Sequence, residues 1–367
     1  MKFHLVIASP SFEEGLRFFR DELGFSLEKI TPSENPSLAV LSGHGLNICL
    51  DKKLEASEIT IRVSTEDRGL VGTKKVGPNG TQIIYDLDLA DTSSAISNDP
   101  SVAINEASNA LWTTGRAGMK YRNLLPEGDW DYIASHIRIP GSGEVPDWVH
   151  YHDAQFQIIY CYKGSAKLVY EDQGPPFIFN TGDCVLQPPH IRHQVLESYD
   201  DLEVVEIVTP FHHSTFTDHM MQLPNSAFKP DRDFMGQKFI WDQIANREWQ
   251  STDPTSNFPY EVGVTGIYEA SARIGNVRIL RPKQNKETQV PLIPFPVKNA
   301  SDFVLWFILS GTALYDRPHS IPSQKVFEGD AISLINAGQE GIGAAFRDPS
   351  LDFSLLEVRL PLEISGS

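Results

Sequence analysis

The sequence predicts a mainly β protein: two β-barrel domains that follow a small α+β module. Three observations predict it. Strand-length apolar runs are punctuated by 26 Gly and 25 Pro over 367 residues, which suits a globular chain with many turns. Landmarks of the middle of the chain recur in its final third, so one barrel is followed by another. Residues 2–50 instead alternate strand, helix and three further strands.

That first stretch opens with a strand over Lys2–Ala8. Ser9-Pro10-Ser11 then introduces a helix, with Ser11 as cap and Glu14 three places on. Leu16, Phe18, Phe19 and Leu23 give the helix an apolar stripe that ends at Gly24, and strands follow at 25–30, 38–41 and 46–50. Ile59–Ser64 and the segment Gly77–Tyr85 have the look of a second, shortened unit. Residues 91–110, dominated by Ser, Asn, Asp and Ala, are expected to be a surface connector. The resulting domain plan is 1–92, 93–225 and 226–367.

In the middle domain Tyr132–Pro140 is a strand with two distinct faces. Ile133, Ser135, Ile137 and Ile139 form one; Tyr132, Ala134, His136 and Arg138 form the other. If the second face points inward, His136 and Arg138 become pocket groups able to bind a carboxylate or enolate. The alternative is an outer face, paired at a domain interface.

The most informative stretch follows. It reads His150-Tyr151-His152, then Gln157, then Gly164; further on come Gly182, Pro188-Pro189-His190 and His193. Alternation puts His150 and His152 on one face of a strand, and a sheet closing on itself can bring His193 opposite them. Three imidazoles and one amide oxygen could meet at one point. Imidazole suits Fe, Ni, Cu, Zn and Mn, and a neutral amide leaves a divalent ion its full charge as a Lewis acid. His212 and His213 follow Pro210 in a polar loop and are expected at the surface or an interface.

The repeat is read from four matches. Gly164 and Gly182 are separated by the same interval as Gly311 and Gly329; Gly182-Asp183 parallels Gly329-Asp330; Ile137–Pro140 parallels Ile279–Pro282; and Val204–Pro210 parallels Leu355–Pro361. Carried across, the positions of His150, His152, Gln157 and His193 fall on Val297, Asn299, Val304 and Glu340. A Val cannot bind a metal. The second barrel is therefore expected to lack the site and to serve packing, dimerisation or coverage of the first barrel, with Arg278 and Arg281 as candidates for a metal-free anion pocket.

The histidine spacing resembles the two motifs of the cupin superfamily, with Gln157 where Glu is usual and His190 where Gly is usual. The resemblance implies a bicupin of two double-stranded β-helix (jelly-roll) barrels, with one divalent transition metal (Fe, Ni, Mn or Zn) on His150, His152, Gln157 and His193. The first residues, FHLVIA and FFRDELGF, resemble a half-module of the glyoxalase/bleomycin-resistance (vicinal oxygen chelate) superfamily. His4 matches a ligand position of that family, but Ile84 stands where its Glu belongs, so the module is expected to be structural.

Among cupins, the His-His-Gln-His set resembles metal-dependent isomerases that hold a carbonyl or enediol on the metal and move a proton. The first expectation is thus an isomerase, cyclase or lyase of a small oxo or hydroxy acid, with Arg138 on the acid group and His136, Tyr151 or Tyr170 as proton carrier. The second is an Fe(II)- or Ni-dependent dioxygenase; the third is a binding or sensing protein without turnover.

Bulk properties agree with a small-molecule partner, expected to be anionic. The net charge of −17 and pI near 5.0, with Lys and Arg scattered, repel nucleic acid and anionic membranes. No apolar run reaches about 18 residues, and Glu13 and Glu14 stand where a signal peptide is apolar, so a cytoplasmic location is expected. A homodimer is left open. Cys49, Cys161 and Cys184 sit in apolar strand-like runs, and as an odd set they are read as buried small hydrophobes. Cys161 shares the strand parity of Gln157 and is a candidate to line the barrel.

Overall fold

The computed structural model describes residues 4–32, 36–55, 59–86 apart from 66 and 68, 101–115, 118–128, 130–211, 213–251, 260–282, 302–316, 323–335 and 345–361. The chain divides into two compact units, Met1–Ser93 and Ser94–Ser367.

In the first unit, Leu5–Ala8, Ser26–Thr31, Leu38–Gly43 and Leu46–Asp51 form one sheet, in the spatial order first, fourth, third, second. The first and fourth strands run parallel, as a helical crossover requires. Helix Phe12–Arg17 continues as the wider turn Phe18–Glu22, and Phe12, Leu16, Phe18 and Phe19 pack on Ile7, Leu41, Ile48 and Leu50. The Ser11 hydroxyl makes no capping bond, so the expected side-chain cap is not formed. Thr60–Ser64, Lys74–Val76 and Gln82–Asp86 make a separate three-stranded sheet. His4 is exposed, and no metal-binding cluster occurs among the described residues of this unit.

The second unit holds both barrels. The first is built on one long hairpin in which Phe156–Tyr170 pairs with His193–Thr209 from end to end. Register shifts near Cys161, Lys163 and Lys167 bend the hairpin so that its halves serve opposite walls. Gly164 sits in that bend at φ +68, and a Cβ there would meet the Tyr199 carbonyl at 2.5 Å, which accounts for the glycine of the motif. In the second barrel Asp302–Ser310 pairs with Ser354–Pro361 in the same way, with Gly311 at φ +72.

The outer faces of the two main sheets pack on each other. Ala134, Phe156, Ile158, Val205 and Ile207 of the first meet Ile279, Phe303, Leu305, Phe307 and Leu356 of the second in one buried cluster. Burial of that many large side chains is the dominant stabilisation of the pair. No helix among the described residues is long and apolar enough to cross a membrane.

Strand exchange alters the expected domain plan. Ser101–Asn105, which precedes the first barrel, pairs with Ala331–Ile335 of the second. Reciprocally, Ile240–Asp242 pairs with Cys184–Leu186 of the first. The anchors match across the repeat: Arg122 Nη1 donates to the Gly329 carbonyl at 2.8 Å, and Arg247 Nη2 to the Gly182 carbonyl at 2.7 Å. Likewise Asp330 Oδ1 accepts from Ala107 N and Asp183 Oδ1 from Ile244 N, at 2.8 and 2.9 Å. Residues 101–105 are therefore a strand rather than a surface connector; the boundary expected at 92/93 lies one residue from the division between the two units, whereas 225/226 does not separate two self-contained barrels. The polar composition of 91–110 hid the alternation in Ser101-Val102-Ala103-Ile104-Asn105.

Candidate metal centre

The strand His150–His152 enters the first barrel beside the start of His193–Thr209, with His150 directly opposite His193. Its other edge pairs with Thr215–Thr217. The consequence is a triad: one ring nitrogen from each of His150, His152 and His193 lies within 4.8 Å of the others. Ring centroids are 4.3 Å apart for His150 and His193, 5.2 Å for His150 and His152, and 5.3 Å for His152 and His193.

Each imidazole is held from behind. His150 Nδ1 donates to the Trp148 carbonyl at 2.8 Å and His193 Nδ1 to the Ile191 carbonyl at 3.0 Å. A carbonyl only accepts, so each ring in its neutral form carries the proton on Nδ1 and the lone pair on Nε2. His152 Nδ1 lies 2.9 Å from Thr215 Oγ1. Such outer bonds fix ring orientation in metal sites. The donor set therefore fits a divalent transition metal.

Gln157 lines the same cavity, and its Nε2 donates to Glu206 Oε1 at 2.8 Å, so Oε1 is the amide's acceptor atom. Glu206 also lines the cavity, as do Gln187 and His213. Tyr170 stacks on His193 at 5.5 Å and donates its hydroxyl to Gln187 Oε1 at 2.5 Å; burial pushes the phenol up, so it stays protonated. The cavity measures about 340 Å³.

Three of the four expected pocket groups are placed elsewhere. His136 and Arg138 do not line the cavity; Ile133, Ser135, Ile137 and Ile139 of the same strand do. The reason is register: His136 lies opposite Val205, which faces the second barrel, whereas Ser135 lies opposite Glu206. His136 Nε2 bonds Glu203 Oε2 at 2.7 Å, and its ring meets Phe307 of the second barrel at 5.4 Å. Arg138 bonds the other oxygen of Glu203 and covers Trp112. Tyr151 points away from its neighbouring histidines by alternation, stacked on Phe216 at 5.2 Å beneath Arg192. Of the four, Tyr170 alone faces the cavity.

The His136–Glu203 pair carries a pH prediction. Burial holds His136 below its ordinary value, although Glu203 pulls the other way. Glu203 lies below the usual carboxylate range because His136 and Arg138 outweigh its own desolvation. A depressed His means that the unfolded chain binds the proton first, so stability falls as pH drops below about 6.5; the depressed Glu adds to the loss as pH falls further toward its folded value. Urea midpoints measured from pH 7.5 down to 5 should decline in the parent and decline less in His136→Gln.

Sequence reasoning missed Glu206, Gln187 and His213. Glu206 had a signal: it is the lone charge in Val204-Val205-Glu206-Ile207-Val208, on the parity of two valines that line the cavity. His213, expected at the surface, lies 5.7 Å from the His152 ring because Thr215–Thr217 pairs with the histidine strand. No local pattern announces that pairing. His190 has φ +64, the left-handed region that explains why glycine is usual there. Cys49, Cys161 and Cys184 are buried free thiols, all pushed up by desolvation; Cys161 packs in the barrel's apolar interior against the Phe179 carbonyl rather than on the cavity wall.

At the described positions, the second barrel carries paired and buried groups where the first lines a cavity. Ile279 lies opposite Leu356, as His136 lies opposite Val205, so the parallel drawn between Ile137 and Ile279 is out by one residue. In the corrected register Arg278 replaces Ser135 and Glu357 replaces Glu206. Glu357 is fully buried and accepts from Arg278 Nε at 2.9 Å, Arg359 Nη2 at 3.1 Å and Trp306 Nε1 at 2.9 Å. Val304 is buried in the same core. Arg281 bonds Glu261 and covers Trp249. Both arginines are thus committed, which withdraws them as an anion site; Val297, Asn299 and Glu340 lie outside the described residues.

Residues 136–208 match the family model described as Cupin domain. Fold and site agree with that match: the matched stretch is similar to a cupin domain and lies in a two-barrel unit. Among solved structures, the putative glyoxylate induced protein from Pseudomonas aeruginosa is 11% identical, with a TM-score of 0.51, over 75% of this chain and 94% of that one. Protein Ylba from E. coli is 11% identical with a TM-score of 0.49, over 76% of this chain and 98% of that one. Oxalate decarboxylase from Bacillus subtilis is 13% identical with a TM-score of 0.48, over 74% and 78%. At such identities the first likeness is one of fold, and the other two carry no argument. No curated protein matches the sequence.

Proposed function

We propose that the chain is a metal-dependent cupin enzyme that moves a proton on a small oxo or hydroxy compound, as an isomerase, cyclase or lyase does. His150, His152, Gln157 and His193 would hold one divalent metal, Fe, Ni, Mn or Zn. When bound, the metal supplies Lewis acidity toward a substrate oxygen. The observation that carries the reading is the Glu206 carboxylate, which lies in the cavity in hydrogen-bond contact with Gln157. It is placed to take a proton from a substrate held at the histidines, and His213 at the same cavity offers a second relay. The Glu206 bond also sets which atom of the Gln157 amide is left for the metal. The N-terminal unit, whose strand order supports the likeness to a vicinal oxygen chelate half-module, is assigned a structural role.

Glu206→Gln preserves a hydrogen-bonding partner for Gln157 but cannot carry a proton. It should keep the metal content of the parent while solvent-deuterium exchange into a bound keto compound falls by roughly a hundredfold. Oxygen uptake by the Fe(II)-loaded protein, with no exchange, would replace this reading by a dioxygenase.

A further inference from the structure

The cavity's lining narrows what it can hold. Most of its wall is apolar, with Ile133, Ile137, Ile159, Leu168, Phe179 and Val204 among the lining residues. Among the described lining residues there is no lysine or arginine, and Glu206 is the sole acidic group. The cation expected to anchor an acid, Arg138, is on the other face of its strand, engaged with Glu203. A carboxylate reaching past the histidines would therefore meet apolar wall and a group of like sign, where desolvation is not offset.

One polar group in the wall still lacks a partner. Gln187 is 3% exposed, its Oε1 accepts from Tyr170, and its Nε2 is buried with no hydrogen bond. Native proteins rarely leave such a donor unsatisfied, and an acceptor on a ligand would complete it. A volume of about 340 Å³ lies at the small end of ligand pockets, roughly 300–1,000 Å³.

We infer, resting on the metal centre proposed above, that the substrate is a neutral, largely apolar molecule. It presents an oxygen pair of at most one negative charge to the histidine end and an acceptor atom to Gln187. Di- and tricarboxylic acids are excluded, which departs from the expectation of an anionic substrate.

The test uses the full chain loaded with Zn(II), its metal content fixed first by elemental analysis and checked again after each titration. Calorimetric titration with benzoylacetone, a neutral apolar diketone, is compared with oxalate and malonate. Benzoylacetone should bind at least about tenfold more tightly than either acid, and Gln187→Leu, metal content unchanged, should weaken it by about tenfold, the worth of one buried hydrogen bond. A loaded protein that prefers oxalate or malonate overturns the substrate class alone. Unchanged affinity in Gln187→Leu overturns the assignment of the acceptor. A protein that takes up no metal overturns the centre itself, and the inference with it.

Discussion

His150→Ala with His152→Ala should reduce bound divalent metal to near zero by elemental analysis, while the protein remains folded. The loss should be complete because two of three imidazoles disappear from a set whose nitrogens lie within 4.8 Å of one another. His193 and a neutral amide cannot replace them. The fold should survive because the strand His150–His152 contributes little to the inter-barrel core, which draws instead on residues such as Phe156, Val205 and Leu356. Undiminished metal in the double variant would place the metal elsewhere.

Glu357→Gln should have the largest effect on stability, on the order of 3–5 kcal/mol as read from the urea midpoint. Glu357 is the shared acceptor for two arginines and the Trp306 indole, and Arg278 and Arg359 hold it ionised although its burial pushes the other way. Neutralising it removes the shared carboxylate charge from two guanidinium groups that are only 18% and 17% exposed. Unpairing a buried charge is costly even where the intact pair is worth little. Metal content should not change, since the site belongs to the other barrel. A loss below about 1 kcal/mol would mean that water reaches the arginines and that the second barrel is less tightly filled than its geometry indicates.

These two variants separate what was legible in the sequence from what was not. The histidines were legible because their positions are set by strand alternation and by glycines with local backbone requirements, such as Gly164. The strands and helix of residues 5–51 were legible for the same reason: periodicity and a helix stripe are local. Which face of Ile133–Arg138 turns inward was not, because each face mixes polar with apolar groups, Ser135 on one and His136 with Arg138 on the other. Only the pairing with His193–Thr209 decides it, and it decides against His136 and Arg138. The exchange of Ser101–Asn105 and Ile240–Asp242 between barrels was hidden too, since neither strand pairs with a neighbour in sequence. The pairing of Glu357 with Arg278 depended on a register that the one-residue slip between Ile137 and Ile279 concealed.

That slip also changes how the duplication is understood. Arg278, Glu357 and Arg359 stand at the positions where Ser135, Glu206 and Val208 line the cavity of the first barrel. The same Glu position thus bonds two arginines in one barrel and, in the other, faces a cavity beside Gln157.

The most direct test of the central claim is a diffraction experiment on metal-loaded crystals, with data on both sides of the metal's absorption edge. A single anomalous peak per chain, bonded to the Nε2 atoms of His150, His152 and His193 and to Oε1 of Gln157, is the predicted result. A peak at another place in the chain, or coordination by Glu206 with Gln157 turned away, would contradict it.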